Sequence, residues 1–316
     1  MELDRKELKR RARESMKLTQ PKFWVVAFVY FLMTTGLSFV LDNLVAALGT
    51  TDAVLNASLF LTLALNLYLI VADFSYQLWS LWTYRRLNPG LGSLMQGFSV
   101  AAKVIMLRIC VYGYIIIWTT LFLLIFSIPI LFLSLPMLPL VIPLLLPLSA
   151  VIMWMVELRY SLVPYLFADN PDAKLRTHIR RSEELMRGWK WSLAKLEISF
   201  VGWHILRWMI SLLILIAALW LGGFFQALFS FSPEQLPDLI SGFAIWTSGF
   251  SLESFSLPQT ELYNLYYSLA NGSWTLLISY LATLPIFLWL TPYLNVCRAG
   301  FYDARMQVQM EQAPKL

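Results

Sequence analysis

Residues 5–41, RKELKRRARESMKLTQPKFWVVAFVYFLMTTGLSFVL, place eight Lys and Arg immediately before nineteen uncharged, largely apolar residues. An apolar helix of about 20 residues crosses the hydrocarbon core of a bilayer. Positive charge near the end of a span is retained on the cytoplasmic side. The stretch therefore reads as a first transmembrane helix entered from the cytoplasm. A cleaved signal peptide is the alternative, but its apolar core would be shorter and a small-residue cleavage site would follow it.

The rest of the 316-residue chain extends this reading. It is 59% hydrophobic, 15% aromatic and only 14% charged, too apolar for a soluble domain of that size. Six stretches are long enough to span: Phe23 to Leu41, Leu59 to Trp82, Ile105 to Phe126, Met137 to Leu158, Leu193 to Leu221 and Trp274 to Tyr293. An even number of spans puts both termini on one side. The 24 Lys and Arg residues alternate with the connections. Arg85, Arg86, Lys103 and Arg108 follow the second span, Arg159 to Lys195 supplies the next basic group, and Arg298, Arg305 and Lys315 close the chain. The intervening connections carry no Lys or Arg, and Arg207, the one basic residue outside these groups, sits within a span. The expected fold is all-α and polytopic, a single six-span domain over residues 1–316 in the cell membrane with both termini cytoplasmic.

Two basic segments on the cytoplasmic side read as amphipathic helices. The first occupies 1–22, with Leu8, Ala12 and Met16 on one face. The second occupies 170–188, opened by Asn170-Pro171-Asp172 and ended by Gly188, with Leu175, Ile179, Ser182 and Met186 in a stripe. Such helices lie in the headgroup plane or against other helices. Arg10-Arg11, Glu14, Met16 and Lys17 match Arg180-Arg181, Glu184, Met186 and Arg187 position for position. Leu91, Leu94, Met95 and Phe98 form a weaker third stripe after Asn88-Pro89. The chain thus reads as a three-fold repeat of interfacial helix, outward span and inward span, with chance recurrence of basic helices as the alternative.

Residues 222–273 contain no Lys or Arg and are too long for a turn. Ser232-Pro233-Glu234 and Leu257-Pro258-Gln259 read as helix starts and Asn271-Gly272 as a stop. The segment reads as an outer helical insertion. Cys110 and Cys297 fall near cytoplasmic helix ends, where thiols stay reduced.

The stretches Tyr160-Ser161, Tyr165, Ala168-Asp169-Asn170-Pro171, Ser182 to Lys190 (SEELMRGWK), Leu196 to Trp203, Pro292-Tyr293 and Phe301-Tyr302 resemble a bacterial integral membrane family, domain of unknown function 975. The resemblance implies a six-span protein from a Gram-positive type of host and supplies no established reaction. The long outer segment before the sixth span departs from the family pattern.

The chain lacks the residue patterns of common catalysts. Its two histidines cannot form a three-His zinc site, and there is no H-E-x-x-H, P-loop or G-x-S-x-G. No metal, cofactor or enzymatic activity is expected. Ionisable residues inside spans are costly and should face the bundle with partners. Asp73, Glu197, His204 and Arg207 are those candidates, read as a polar network in which Asp73 and Arg207 lie at equal depth, or as structural ion pairs. Arg10, Arg11, Arg180, Arg181 and Arg187 are the candidates for binding lipid or a partner. Anionic lipid of the inner leaflet, rather than nucleic acid, is the expected counterpart of these juxtamembrane charges. The leading expectation is a non-enzymatic membrane protein that organises partner proteins or lipids through its basic helices. The alternatives are a small transporter or channel around Asp73, His204 and Arg207, and an intramembrane enzyme.

Overall fold

The structure, a computed structural model, describes residues 4–49, 51–127, 138–235 and 257–312. These residues form helices and no strand. Six helices are long and apolar enough to cross a membrane: Phe23–Leu48, Asn56–Tyr84, Ala101–Ile125, Leu148–Asp169, Val201–Leu221 and Thr260–Glu311. Each expected span falls on one of them, although Met137, the expected start of the fourth, lies outside the described residues.

In chain order, α1 is Arg5–Lys17, α2 is Phe23–Leu48 with a π-helical turn at Leu32–Gly36, and α3 is Asp52–Tyr84. Short α4, Ser93–Ser99, leads into α5, Ala101–Ser127. Then come α6, Leu138–Tyr160, and α7, Val163–Asp169. The basic α8, Leu175–Met186, and α9, Lys190–Ile198, precede α10, Val201–Leu221. Helices α11, Phe224–Phe229, and α12, Leu257–Ala270, lead to α13, Ser273–Gln312.

Local chemistry explains the ends. Asp4 caps α1 by accepting from the Lys6 N–H at 2.9 Å. The chain leaves α8 through Gly188 at φ 79°, a left-handed conformation that side chains with a Cβ rarely adopt. The expected fifth span, continuous from Leu193, is instead broken between α9 and α10. There the Phe200 N–H bonds the Glu197 carbonyl at 2.9 Å and the Ser199 hydroxyl takes the Leu196 carbonyl, tightening the last turn and ending α9. The expected sixth span, by contrast, continues past Tyr293 to Gln312 without interruption at Pro292.

The chain divides into two units, residues 1–200 with 289–316, and residues 201–288. In the first, Phe74, Leu107, Val111, Ile152, Val156 and Phe167 form a core that joins α3, α5, α6 and α7. Helix α3 is buried through Val71, Ala72, Tyr76, Trp79 and Leu81, whereas Leu59, Phe60 and Leu63 near its other end are exposed. A Cβ at Gly300 would come within 2.5 Å of the Tyr84 ring, so glycine is what allows α13 to close on the end of α3. In the second unit, Leu262 and Tyr263 of α12 pack with Phe224, Ala227, Leu228 and Phe231. There the hydroxyls of Ser211 and Ser279 join α10 to α13 at 2.9 Å. The expected stop at Asn271 coincides with the end of α12, a 3-10 turn occupies Pro233–Gln235, and the residues before Leu257, the other expected helix start, lie outside the described residues. Residues 236–256 lie outside the described residues.

Candidate functional site

Two helix ends and the body of a third helix meet on one arginine. Arg85, just past α3, directs Nη1 to Asp169 Oδ1 at 2.6 Å and Nη2 to Asp169 Oδ2 at 2.9 Å, so it grips the end of α7 with both arms. Its Nε and Nη2 also reach Asp303 of α13 at 3.1 and 2.7 Å. The Tyr302 hydroxyl donates to Asp169 at 2.7 Å, and its ring stacks on Tyr165 at 5.5 Å. Bidentate guanidinium–carboxylate geometry fixes distance and orientation together. The bonds from Asp169 and Asp303 hold the Arg85 charge above the ordinary arginine range, despite partial burial.

Beside this clamp lies a polar cavity of about 190 Å³. One wall is an ion pair: Arg298 of α13 donates to Glu197 of α9 through Nε at 2.9 Å and Nη2 at 2.7 Å. The Trp154 indole N–H satisfies the second Glu197 oxygen at 3.1 Å. Arg108, Gln77 and Glu157 line other walls, and Tyr165 connects the cavity with the clamp. A smaller pocket shares Gln77, Arg108 and Tyr160 and reaches Asp73. The Asp73 carboxylate accepts a bond from the Tyr30 hydroxyl, whose ring stacks on Tyr76 at 4.1 Å.

The basic helices turn their apolar faces to the protein itself. Leu8, Ala12, Ser15 and Met16 of α1 are buried, and the Ser15 hydroxyl donates to the Tyr84 carbonyl at 3.4 Å. Lys9 lies over the Phe200 ring at 4.3 Å, where burial pulls its pKa down. In α8, His178, Ile179, Ser182, Leu185 and Met186 are buried. Ser182 donates to the Arg159 carbonyl at 3.0 Å, Tyr160 donates to Glu183 at 2.9 Å, and Arg305 donates to the Leu185 carbonyl at 3.0 Å. The last contact places a cation on the carbonyl end of the helix, where the dipole favours it.

The expected site residues distribute as follows. Within the first unit, Asp73 is bonded by Tyr30 and Glu197 by Arg298 and Trp154. His204 and Arg207 lie on α10 in the second unit, so the four-residue network is a property of neither unit by itself. Arg10 and Arg11 are exposed and pair with Glu7 and Glu14 of their own helix, and Arg180 pairs with Glu184. Those bonds from Arg10 and Arg11 lower the Glu7 carboxyl to about 2. Arg181 and Arg187 are exposed.

Sequence reasoning passed over Arg85, Arg108, Asp169, Arg298 and Asp303 as a group. The signal was present: Arg85, Asp169 and Asp303 each follow the expected end of an inward span, on its basic side. Opposite charges at three such ends predict a shared contact. Among the described residues, no group of three or more His, Cys, Asp or Glu is placed to hold a metal ion.

No curated protein and no solved structure matches this chain. A family model does match over residues 1–232, a range that holds the basic helices, Arg85, Asp169 and Glu197 but ends before Arg298 and Asp303. The chain therefore belongs to the family described as protein of unknown function, DUF975.

Proposed function

We propose that this is a non-enzymatic, multi-pass protein of the cell membrane, with both termini in the cytoplasm, that gathers anionic lipids through the basic faces of α1 and α8. One observation carries the reading: the apolar stripes of both helices are packed on the protein's own bundle, so their charged faces are held rigidly outward. A helix that used its stripe to enter the bilayer would be free to reorient, whereas one fixed to the bundle presents a set array of cations. Ion pairs of exposed Arg10, Arg11 and Arg180 with their own helix are open to water and salt and exchange readily for an anionic headgroup. Arg181 and Arg187 extend the array.

The three-fold repeat takes support from the same helices. The buried Leu8, Ala12, Ser15 and Met16 correspond position for position to the buried His178, Ser182, Leu185 and Met186. Two copies of one docking pattern would place two cationic faces at equivalent positions around the bundle.

The test is lipid retention. The full chain purified in uncharged detergent should retain phosphatidylglycerol, quantified by mass spectrometry. The double variant Arg180→Glu with Arg181→Glu should retain several-fold less, with its melting temperature unchanged because both side chains are exposed. Equal retention by the two proteins would reduce α8 to a strut.

A further inference from the structure

The cavity beside Glu197 and Arg298 has charge capacity that the protein does not consume. Arg298 gives Nε and Nη2 to Glu197, which leaves Nη1 available, and its side chain is 39% exposed. Arg108 lies with its guanidinium 4.8 Å from the centre of the Tyr112 ring and makes no ion pair among the described residues. A guanidinium stacked on an aromatic face keeps its in-plane N–H fork free for an oxyanion. Glu157, also on the cavity wall, is exposed and likewise makes no ion pair among the described residues. The four charged groups, Arg108, Arg298, Glu157 and Glu197, sum to zero, with the two cations offering donors and Glu157 offering an acceptor.

A neutral site with separated free cation and free anion is complementary to a neutral ligand built the same way. Its surroundings add a third requirement. Met153 and Met155, the chain neighbours of the lining residue Trp154, are exposed and apolar on a helix long and apolar enough to cross the membrane. A ligand with an apolar tail can therefore lie along the outside while its polar end enters. At roughly 30 Å³ per water, the cavity has room for about six waters, more than a bare phosphate displaces.

We propose that this cavity binds the headgroup of a single zwitterionic aminophospholipid, the phosphate held by Arg108 and Arg298 and the primary ammonium by Glu157. Gln77 is placed to bond a phosphate ester oxygen through its amide N–H. The site is separate from the basic faces of α1 and α8, and it selects differently. Those faces rank ligands by net negative charge, while this cavity ranks a neutral ethanolamine headgroup above an anionic glycerol one.

The experiment uses the full chain in uncharged maltoside detergent, titrated calorimetrically with dihexanoyl phosphatidylethanolamine and, separately, dihexanoyl phosphatidylglycerol. The ethanolamine lipid should bind saturably and more tightly than the glycerol lipid. Arg108→Gln should weaken it about tenfold, the expectation for a lost charge-assisted hydrogen bond. Glu157→Gln, at an exposed side chain, should fold normally and erase the preference between the two lipids, so it decides the matter if Arg108→Gln fails to fold. Arg180→Glu with Arg181→Glu should leave the preference intact, which separates this result from failure of the basic-helix reading. Wild-type protein that does not distinguish the two lipids, or Glu157→Gln that retains the wild-type preference, would overturn the assignment. Displacement of the lipid by free O-phosphoethanolamine at equal concentration would also overturn it, because the tail would then contribute nothing.

Discussion

Replacing Arg85 with Met keeps most of the side-chain volume and removes every bond that ties Asp169 to Asp303. The arginine makes two contacts to Asp169, at 2.6 and 2.9 Å, and reaches Asp303 at 2.7 Å. Hydrogen bonds to charged groups contribute about 1.5–3 kcal/mol each, and removing one partner of a fully buried pair costs about 3–5 kcal/mol. The Arg85, Asp169 and Asp303 side chains retain 31%, 32% and 17% of their exposure, so water recovers part of that cost. The expected loss is about 2–3 kcal/mol, below the buried-pair value because of this solvent access. Two carboxylates would then lie near each other, with the Tyr302 hydroxyl still donating to Asp169. Reversible unfolding in mixed micelles of dodecyl sulfate and maltoside, followed by circular dichroism, measures it. The triple variant Arg85→Met, Asp169→Asn, Asp303→Asn should recover more than half of the loss, because it removes the unpaired charges along with their partner. A single variant within about 0.5 kcal/mol of wild type, the range of ordinary surface substitutions, would refute the clamp as an energetic element.

Three other outcomes follow from contacts elsewhere. His178 is buried edge-on to Phe167 at 5.6 Å, and burial lowers its pKa from 6.5. Its folded form therefore prefers the neutral ring, so the stability it contributes is complete above about pH 6.5 and declines as the pH falls through the folded value. Thermal midpoints measured from pH 7.5 to 5 should drop, and His178→Phe should flatten the curve. Ser182→Val removes a bond to the Arg159 carbonyl at a fully buried position and inserts bulk there. It should lower stability by about 1–3 kcal/mol, whereas Ser182→Ala should cost about 1 kcal/mol or less, read by the same unfolding assay. For topology, cysteines at the exposed positions Arg187 and Asn271 should label oppositely in intact cells, Asn271→Cys with an impermeant maleimide and Arg187→Cys only after permeabilisation. The reverse pattern would invert the orientation.

The membrane architecture was legible because it depends on composition over long windows. Six apolar stretches with basic residues in every other connection leave little freedom, and each expected span overlaps a helix long and apolar enough to cross a membrane. The helix stop at Asn271-Gly272 was readable for a different reason, since Asn and Gly favour the chain's exit from a helix. The break at Ser199-Phe200 was not readable, because Leu193 to Leu221 holds no proline and is long enough to span, and the competition for the Leu196 carbonyl at Ser199 is local. Partners of charges were the hardest to foresee. Arg85 and Asp303 are more than two hundred positions apart in the chain, and their meeting depends on the packing of α13 against α3, which Gly300 permits. Glu197 was expected to face the bundle with a partner, but nothing in the sequence singled out Arg298, 101 positions further on. Depth could be counted along each helix from the sequence, but the azimuth that decides which side chains face one another could not.

Every ion pair among the described residues of the first unit joins groups at the same end of its helices, from Glu7 with Arg10 to Glu197 with Arg298. At the other end α3 is exposed through Leu59, Phe60 and Leu63. Lipid tails are as apolar as those leucines, so parting the helices there meets little hydrophobic resistance. The clamp therefore acts as a fulcrum. With 33 residues, α3 is about 50 Å long at 1.5 Å per residue, and a tilt of about 5° at Arg85 carries its far end roughly 4 Å sideways. Angular changes too small to disturb the charged end become side-chain-sized displacements across the bilayer, which makes the thickness and lateral pressure of the surrounding lipid a direct input to the shape of this protein.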